Sequence, residues 1–378
     1  MNDDTIRVRV AMMGPTRVGK TTLLTAILTD ARKAFAGTKV SVVAANSETE
    51  KRIQHNADEL RGTLLAGEFK PGMLRGTQTV QEFQMKVSPG VAGEGVLVEF
   101  LDFPGRLLHP TLRNEEQWAT VQEFLEESTA LLLPVDATVL METFGPQHLH
   151  EVPRILRIGA VEEAIRYWAK YRQDVPTEPA LIVFAPVKVE SYFADNGGDR
   201  DLSAQLLARF REVYADVINA ARAELPHVRM AYVPVDSLGC VEVESVEWLT
   251  DADPGAPEGA IAPEVTYLVR PGKTREVVGA IDILVPLINQ VVTLSRQARQ
   301  EAAQKATAEA IAAIADRDRR RGFWSRVRDS VNGSKQRREV LAADAGLKAQ
   351  RELARLQEYD EVLSKLAEQP PGDREKPV

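Results

Sequence analysis

The residues with the clearest chemical potential lie near the start of the chain. Gly14-Pro15-Thr16-Arg17-Val18-Gly19-Lys20-Thr21 fills every fixed position of the pattern G-x-x-x-x-G-K-[ST]. The apolar run Arg7 to Met13 before it indicates a buried strand, and Thr22 to Ala34 after it indicates a helix. Such a loop turns its backbone N–H groups toward phosphate oxygens, and the helix N-terminus adds a positive end. We therefore expect a phosphate site formed by Gly14, Arg17, Gly19, Lys20, Thr21 and Thr22, with Thr21 also a ligand for Mg²⁺.

A second group of residues follows another apolar strand. Asp102-Phe103-Pro104-Gly105 comes directly after Val96 to Leu101. A carboxylate at this place can hold the hydration shell of Mg²⁺, and the N–H of the following glycine can meet a terminal phosphate. Pro104 fixes φ and stiffens the loop. We therefore predict that Asp102 helps to hold the metal ion and that Gly105 contacts the terminal phosphate, where the reaction takes place.

The elements that must position these residues alternate between strands and helices. Ala130 to Asp136 and Ala180 to Pro186 are short, almost wholly apolar runs that are typical of inner parallel strands. Gln78 to Val87 and Val96 to Asp102 indicate a hairpin, and Met230 to Val235 indicates a last strand. Helices are predicted between the strands at Val161 to Tyr171 and Leu202 to Leu225. The pattern predicts a three-layer α/β domain with a mostly parallel sheet.

Two further segments carry local signals. Ser47 and Glu50 have the spacing of a capping box, so a helix is predicted from Ser47 to about Leu65. Asp251 to Pro263 is rich in Pro, Gly and acidic residues, which predicts a loop or flexible insert.

Together these motifs resemble the P-loop GTPases of the translation-factor and Ras-like class. The chain looks especially like the double-GTPase (DO-GTPase) type of bacterial conflict and signalling systems, over about Ile6 to Val292. The resemblance implies a P-loop NTPase domain at 1–294, with GTP or GDP and Mg²⁺ as its ligands. It also implies that Thr77 closes over Mg²⁺ and the terminal phosphate, with Thr79 as the rival.

The resemblance is weaker at the position that reads the base. Such GTPases carry Asn/Thr-Lys-x-Asp after a strand, and this chain has Val187-Lys188-Val189-Glu190 there. On this analogy Lys188 lies over the base and Glu190 accepts hydrogen bonds from it, while Val187 cannot make the usual polar contact. Ser237 follows the last strand, where the family places a small polar residue beside the base. A surface pair of Lys188 and Glu190 without such a role is the alternative.

The hydrolytic residues depart further from the family. Ras-like enzymes place a Gln after the glycine to orient the attacking water, and this chain has Arg106 there. Arg106 cannot act as a base but could neutralise charge in the transition state. We therefore expect slow or partner-stimulated hydrolysis of GTP, with Lys20, Thr77, Gly105 and Arg106 as the catalytic set. An ATPase and a scaffold that holds nucleotide without hydrolysing it remain the alternatives.

Composition limits the setting in which this chain works. The 378 residues carry a net charge of −8, which excludes a general attraction to nucleic acid or anionic lipid. Cys240 is the only cysteine, so an intrachain disulfide is impossible. The acidic start lacks the features of a signal peptide, and Val277 to Val292 is interrupted by polar residues and proline. We expect a cytoplasmic protein without a transmembrane segment.

The last part of the chain has a different composition. From Arg296 onward there are 18 Lys and Arg against 14 Asp and Glu, with alanines at helical spacing. We predict a helical hairpin or coiled-coil arm at 295–368 and a flexible tail at 369–378. The arm would bind a protein partner or a second copy. The basic stretch 317–338 contains Phe323 and Trp324; packing against protein is favoured there, with a membrane surface or nucleic acid as the alternatives.

Overall fold

The computed structural model describes eleven segments of the chain, and these contain every residue of the motifs above. They are 7–36, 40–70, 76–89, 96–109, 113–143, 145–175, 179–196, 201–250, 261–287, 289–290 and 376–378. The predicted arm at 295–368, its basic stretch 317–338 and most of the segment 369–378 lie outside the described residues.

The described residues place eight strands in the main sheet, in the order β11-β8-β7-β6-β1-β5-β4-β2, with the bounds given at the end of this paragraph. Five neighbouring strands, from β8 through β5, run parallel to one another, and β4, β2 and β11 are added antiparallel. Every residue of the central strand β6 is buried, as expected for a parallel strand covered on both faces. The predicted mostly parallel α/β sheet is confirmed. The strands are β1 (Arg7–Met12), β2 (Val40–Ala44), β4 (Gln81–Pro89), β5 (Val96–Asp102), β6 (Ala130–Asp136), β7 (Leu181–Val187), β8 (Arg229–Tyr232) and β11 (Lys376–Pro377).

Helices cover both faces of this sheet. Side chains alternate along β1, so that Ala11 faces a cluster with Trp118 and Trp168 while Val10 and Met12 face a cluster with α1. This alternation produces three layers, one helical layer on each side of the sheet. The helices are α1 (Lys20–Ala34), α2 (Ser47–Leu64), α3 (Glu115–Glu127), α4 (Ala137–Met141), α5 (Gly145–Ile155), α6 (Ile158–Gln173), α7 (Ser203–Val213), α8 (Ala215–Glu224) and a helical stretch at 280–287 and 289–290.

A second sheet was not predicted from the sequence. It consists of β3 (Glu68–Phe69), β10 (Ile261–Val269) and β9 (Val241–Thr250) in that order, all antiparallel. Its small core includes Leu60 of α2, Phe69 and Tyr267. This sheet corrects the end of the predicted loop at Asp251 to Pro263, because residues 261–263 belong to β10. The rest of that prediction, 251–260, lies outside the described residues.

Two helix predictions also need correction. The N-cap of α2 is Asn46 rather than Ser47, because the Asn46 side chain accepts a hydrogen bond from the Thr49 N–H at 2.8 Å. The predicted helix from Leu202 to Leu225 is two helices, α7 and α8, which meet at the buried Tyr214. Its phenol ring packs against Phe210 and Phe184 under β7, so tertiary packing determines the junction.

The segments on either side of the predicted arm are anchored to the main sheet. Gln290 donates hydrogen bonds to the carbonyl oxygens of Thr129 (2.6 Å) and Pro179 (2.7 Å), beside the starts of β6 and β7. At the other end, β11 pairs with β8, and Arg222 donates to the Val378 carbonyl oxygen at 2.7 Å. Within the described part of the chain, none of the helices combines the length and apolarity that crossing a bilayer demands.

Candidate functional site

The glycine-rich loop joins β1 to α1 at the carboxyl ends of the parallel strands. The helix α1 begins at Lys20, and its N-cap is Gly19, whose φ of 106° lies in the left-handed region. No side chain caps this helix, and its first turn contains no acidic residue. The first N–H groups of α1 therefore lack side-chain partners, which leaves them available to an anion.

Lys20 is buried beneath this loop. Its ammonium group donates hydrogen bonds to the carbonyl oxygens of Gly14 (2.9 Å) and Pro15 (3.0 Å). Burial lowers the pKa of Lys20 to about 8, and the nearby charge of Asp102 opposes that change. The ammonium is thus mostly protonated at neutral pH, and a bound phosphate would raise its pKa again because an anion favours the charged form.

Three oxygen-bearing side chains from three separate segments meet beside the loop. The Thr21 hydroxyl donates to Asp102 Oδ2 at 2.6 Å, the Thr77 hydroxyl donates to the same oxygen at 2.9 Å, and the two hydroxyls are 2.8 Å apart. Asp102 is fully buried at the end of β5, and burial raises its pKa despite the charge of Lys20. The second oxygen, Oδ1, is buried without a hydrogen-bond partner among the described residues.

These groups fit the requirements of Mg²⁺. Magnesium prefers oxygen ligands and is commonly held by one or two carboxylates together with substrate phosphates. Thr21, Thr77 and Asp102 supply two hydroxyls and one carboxylate, and a cation or its bound water would satisfy Asp102 Oδ1. Thr79, the rival of Thr77 in the sequence, is exposed. Among the described residues no cluster of three His, Cys, Asp or Glu offers an alternative metal site.

The loop after β5 lies directly against the glycine-rich loop. A Cβ atom built on Gly105 would stand 2.3 Å from the Thr16 nitrogen and 2.4 Å from the Pro15 carbonyl carbon. Only glycine fits at such an approach. Gly105 opens a 3₁₀ turn, Gly105–Leu108, in which Leu107 is buried and Arg106 is exposed. The close contact places Gly105 at the phosphate loop, as its predicted role requires.

Arg106, predicted as a catalytic residue, is exposed and contacts the segment after Thr77. Its guanidinium donates to the carbonyl oxygen of Gln78 at 3.3 Å, and Arg106 does not line the groove described next. The side chain thus holds the segment after Thr77 against the 3₁₀ turn. Its predicted contact with transition-state charge is not part of this arrangement.

A single groove connects the phosphate loop to the ends of β7 and β8. The wall opposite the glycine-rich loop includes Val187, Lys188 and the loop after β8. The residues that line it are Thr16, Arg17, Val18, Gly19, Lys20, Thr21, Thr22, Phe69, Gly76, Thr77, Gly105, Val187, Lys188, Ser237 and Leu238. All predicted site residues line this groove except four: Gly14, Asp102, Arg106 and Glu190. Two of these still contact it, because Asp102 binds Thr21 and Thr77 and the Gly14 carbonyl binds Lys20.

Lys188 is held in the groove by a residue that the sequence did not reveal. Its ammonium forms an ion pair with Asp136 at the end of β6. The other Asp136 oxygen accepts from the N–H groups of Thr138 (3.1 Å) and Val139 (3.4 Å) at the start of α4. Because the charged end is anchored at Asp136, the aliphatic stem remains as the surface that Lys188 offers to the groove.

Glu190 is placed differently from the prediction. It is buried, it does not line the groove, and its Oε1 accepts hydrogen bonds from the N–H groups of Leu238 (3.0 Å) and Gly239 (3.3 Å). Burial and the nearby charge of Asp236 raise the pKa of Glu190. Its carboxylate therefore orders the loop that carries Ser237 and Leu238, both of which do line the groove.

Phe69 is a groove residue that sequence analysis missed. It lies in β3, and its ring centroid is 5.8 Å from that of Tyr267 in β10. The Tyr267 hydroxyl lies 2.7 Å from the Thr138 hydroxyl of α4, so the second sheet supports the groove at this end. The available signal was a lone aromatic residue in the polar stretch Gly67 to Gly72.

The described residues that line the groove include no side chain suited to act as a base. None of them is Asp, Glu, His or Gln, and the cations among them are Arg17, Lys20 and Lys188. Lys20 and Lys188 are engaged with protein oxygens, as described above. The described lining thus combines the first N–H groups of α1 and hydroxyls at one end with Phe69 and the Lys188 stem at the other, and it contains no carboxylate, imidazole or carboxamide side chain.

Comparisons with known proteins add the following findings. No family model matches this chain, and no curated protein matches it. Among solved structures, the GTPase-like domain of S. cerevisiae Ski7 bound to GTP is 13% identical over 66% of this chain, with a TM-score of 0.33. The signal recognition particle receptor complex SRb-GTP/SRX of Chaetomium thermophilum is 15% identical over 61% of this chain and 93% of that chain, with a TM-score of 0.32.

The same Ski7 domain bound to GDP and inorganic phosphate matches at 12% identity over 62% of this chain, with a TM-score of 0.32. The match spans less than half of the Ski7 chains, 47% and 43% of their length. These solved structures are GTPase-like or GTP-bound domains, but scores this low carry no argument about function. The function of this chain therefore rests on the geometry of the groove, and the double-GTPase resemblance stays a prediction.

Proposed function

We propose that this chain is a Mg²⁺-dependent GTP-binding switch protein that hydrolyses GTP slowly or with the help of a partner. The groove would hold the phosphates over the glycine-rich loop and the N-terminus of α1, and the base beside Phe69 and Lys188. A protein partner or a second copy would bind through the predicted arm at 295–368. Membership of the DO-GTPase type is part of this proposal.

The observation that carries the proposal is the meeting of Thr21, Thr77 and Asp102 around one carboxylate oxygen, next to Lys20. These residues come from the phosphate loop, the segment before β4 and the end of β5, which lie far apart in the sequence. Thr21, Thr77 and Asp102 would hold the metal, and its positive charge would offset the charge of the phosphates. Thr77 would then contact the metal and the terminal phosphate in addition to Asp102, so that its position would respond to the loss of that phosphate, which is how a switch senses its nucleotide.

Slow hydrolysis follows from the composition of the groove wall. Attack of water on a phosphate is accelerated when a side chain orients the water. The described groove residues offer hydroxyls, cations and apolar groups but no carboxylate, imidazole or amide for that task. We propose that basal turnover lies far below the roughly 10 s⁻¹ of a median enzyme.

A specific observation also favours the ATPase alternative. The base end of the groove presents Phe69, Val187, the Lys188 stem, Ser237 and Leu238, while the carboxylate of Glu190 is engaged with backbone N–H groups. Either purine could stack against such a surface. Guanine preference then depends on whether Glu190 also reaches the N–H groups of the base once a nucleotide is present.

Competition binding separates the two functions. A fluorescent GTP analogue is bound to the full chain in Mg²⁺ and displaced with GTP or with ATP, for the wild type and for Glu190→Gln. We expect GTP to displace the analogue at least about tenfold more effectively than ATP, which corresponds to about 1.4 kcal/mol. The Gln side chain keeps an acceptor for Leu238 and Gly239 but loses the charge, so it should reduce that preference.

Equal displacement by ATP and GTP would reject guanine specificity and favour the ATPase. A preference that survives in Glu190→Gln would keep the GTP-binding function but remove Glu190 from base recognition.

A further inference from the structure

Arg17 has an unusual backbone conformation for its residue type. Its φ is 65°, in the left-handed region where a side chain with a Cβ atom is disfavoured and glycine is not. Three described non-glycine residues share this property, namely Arg17, Arg157 and Lys188, and two of them line the groove. A strained conformation that persists at a functional site is a reason to look for a role of the side chain.

The partners of the nearby cations differ in an informative way. Lys20 donates to two carbonyl oxygens, Lys188 is paired with Asp136, and Arg106 donates to the Gln78 carbonyl outside the groove. Arg17 is exposed and forms no hydrogen bond or ion pair with any residue that the structure describes. Its guanidinium is thus the groove-lining cation left for a ligand among these residues.

We propose that Arg17 is the catalytic arginine of this site, and that it supplies in cis the positive charge that many such sites receive from a partner. The inference rests on the proposed function and assigns to Arg17 the role that the sequence suggested for Arg106. A guanidinium is planar, permanently charged and able to donate two parallel hydrogen bonds to phosphate oxygens. Because Arg17 is exposed on the loop, its side chain has room to move onto the phosphates when a nucleotide binds.

The step that Arg17 assists is the hydrolysis of the triphosphate. The oxygen of water forms a bond to the γ-phosphorus, and the bond from that phosphorus to the β–γ bridging oxygen breaks. The electron pair of the broken bond stays on the β-phosphate of the diphosphate, and both protons of the water leave with the inorganic phosphate as H2PO4−. Negative charge therefore grows on the bridging and β-phosphate oxygens, where a guanidinium stabilises it more in the transition state than in the ground state.

Single-turnover hydrolysis and equilibrium binding of GTP test this role in four full-length proteins: the wild type, Arg17→Gly, Arg17→Lys and Arg157→Gly. Glycine removes the guanidinium and also relieves the backbone, so Arg17→Gly should fold at least as well as the wild type. The matched control Arg157→Gly changes the same residue type at φ 56° outside the groove. We expect Arg17→Gly to lower the hydrolysis rate at least about 100-fold while the Kd for GTP changes less than about fivefold.

Arg17→Lys should recover only part of the rate, because a point charge cannot replace the planar fork, and Arg157→Gly should hydrolyse at the wild-type rate. A wild-type rate in Arg17→Gly would overturn the inference. So would a loss of binding in Arg17→Gly as large as its loss of rate, because Arg17 would then stabilise substrate and transition state equally. Tight binding without any turnover in the wild type would also contradict it, whereas a wild type that binds no nucleotide would overturn the proposed function itself.

Discussion

At the scale of single residues, the site depends on contacts that leave no room for substitution. Gly105 is the clearest case, since a Cβ there would stand 2.3 Å from a backbone nitrogen of the phosphate loop. The motif predicted a glycine with a free N–H at this place. The packing adds that the loop after β5 and the phosphate loop are in direct contact, so a change in one must displace the other.

We therefore predict that Gly105→Ala lowers the free energy of unfolding by about 1–3 kcal/mol, because one methyl group must be accommodated against backbone atoms. Gly159→Ala is the matched control, since nothing lies within 4 Å of its added Cβ. Gly159 is the second residue of α6, where alanine should instead be neutral or stabilise the protein by up to about 0.5–1 kcal/mol. Urea unfolding of the two variants measures both values, and equal stabilities would disprove the close approach at Gly105.

The sequence predicted many of these residues but not their partnerships. It proposed Thr21, Asp102, Lys188 and Thr77, with Thr79 as the rival at the last position. It did not reveal that Asp136 anchors Lys188 or that Glu190 binds the backbone after Ser237. Those contacts depend on β6 and β7 lying side by side with Asp136 opposite Val187, a register that the order of residues along the chain does not state.

At the scale of elements, the main sheet was predicted because its strands have strong sequence patterns. The second sheet was not predicted, because the patterns of its strands are weak. The apolar runs of β6 and β7 were predicted to within one residue, because a strand buried on both faces has little tolerance for polar residues. The strand β3 has two residues, and its partner β10 lies almost two hundred residues later. Neither length nor alternation could reveal a pairing of that kind, yet it places Phe69 in the groove.

The start of α2 provides a test at this scale. Asn46 → Ala removes the side-chain acceptor of the Thr49 N–H, so we predict a loss of about 1 kcal/mol in the free energy of unfolding. Ser47→Ala should cost less than about 0.5 kcal/mol, because Ser47 is exposed and follows the cap. Asn46→Asp should keep most of the stability, since it retains the acceptor. Thermal or urea unfolding of the three variants measures these changes in the free energy of unfolding. A larger loss for Ser47→Ala than for Asn46→Ala would contradict Asn46 as the N-cap and support the capping box predicted at Ser47.

At the scale of the whole molecule, the phosphate loop, the segment carrying Thr77 and the second sheet form one connected unit. Tyr267 contacts Phe69 in the groove and Thr138 at the start of α4, and Asp136 at that same helix start holds Lys188. A nucleotide that binds in the groove and displaces Phe69 or Lys188 would thus also alter contacts of β3, β10 and α4. The chain also returns to the main sheet at 376–378, where β11 pairs with β8. The polar composition around this segment did not predict the pairing. Strands pair through backbone groups, so no particular side chains mark such a contact in the sequence.

The central claim is that the groove binds a nucleoside triphosphate through Lys20 and a magnesium ion, and one binding measurement tests it most directly. The affinity of the full-length wild type and of Lys20→Ala for a fluorescent GTP analogue is measured in Mg²⁺ and in EDTA, with circular dichroism to show that both proteins are folded. We predict that the wild type binds more tightly in Mg²⁺ than in EDTA. A folded Lys20→Ala protein should bind at least about 30-fold more weakly, because a buried charge contact with phosphate is lost. Unchanged affinity in folded Lys20→Ala, or a wild type that binds no nucleotide in Mg²⁺, would contradict the account.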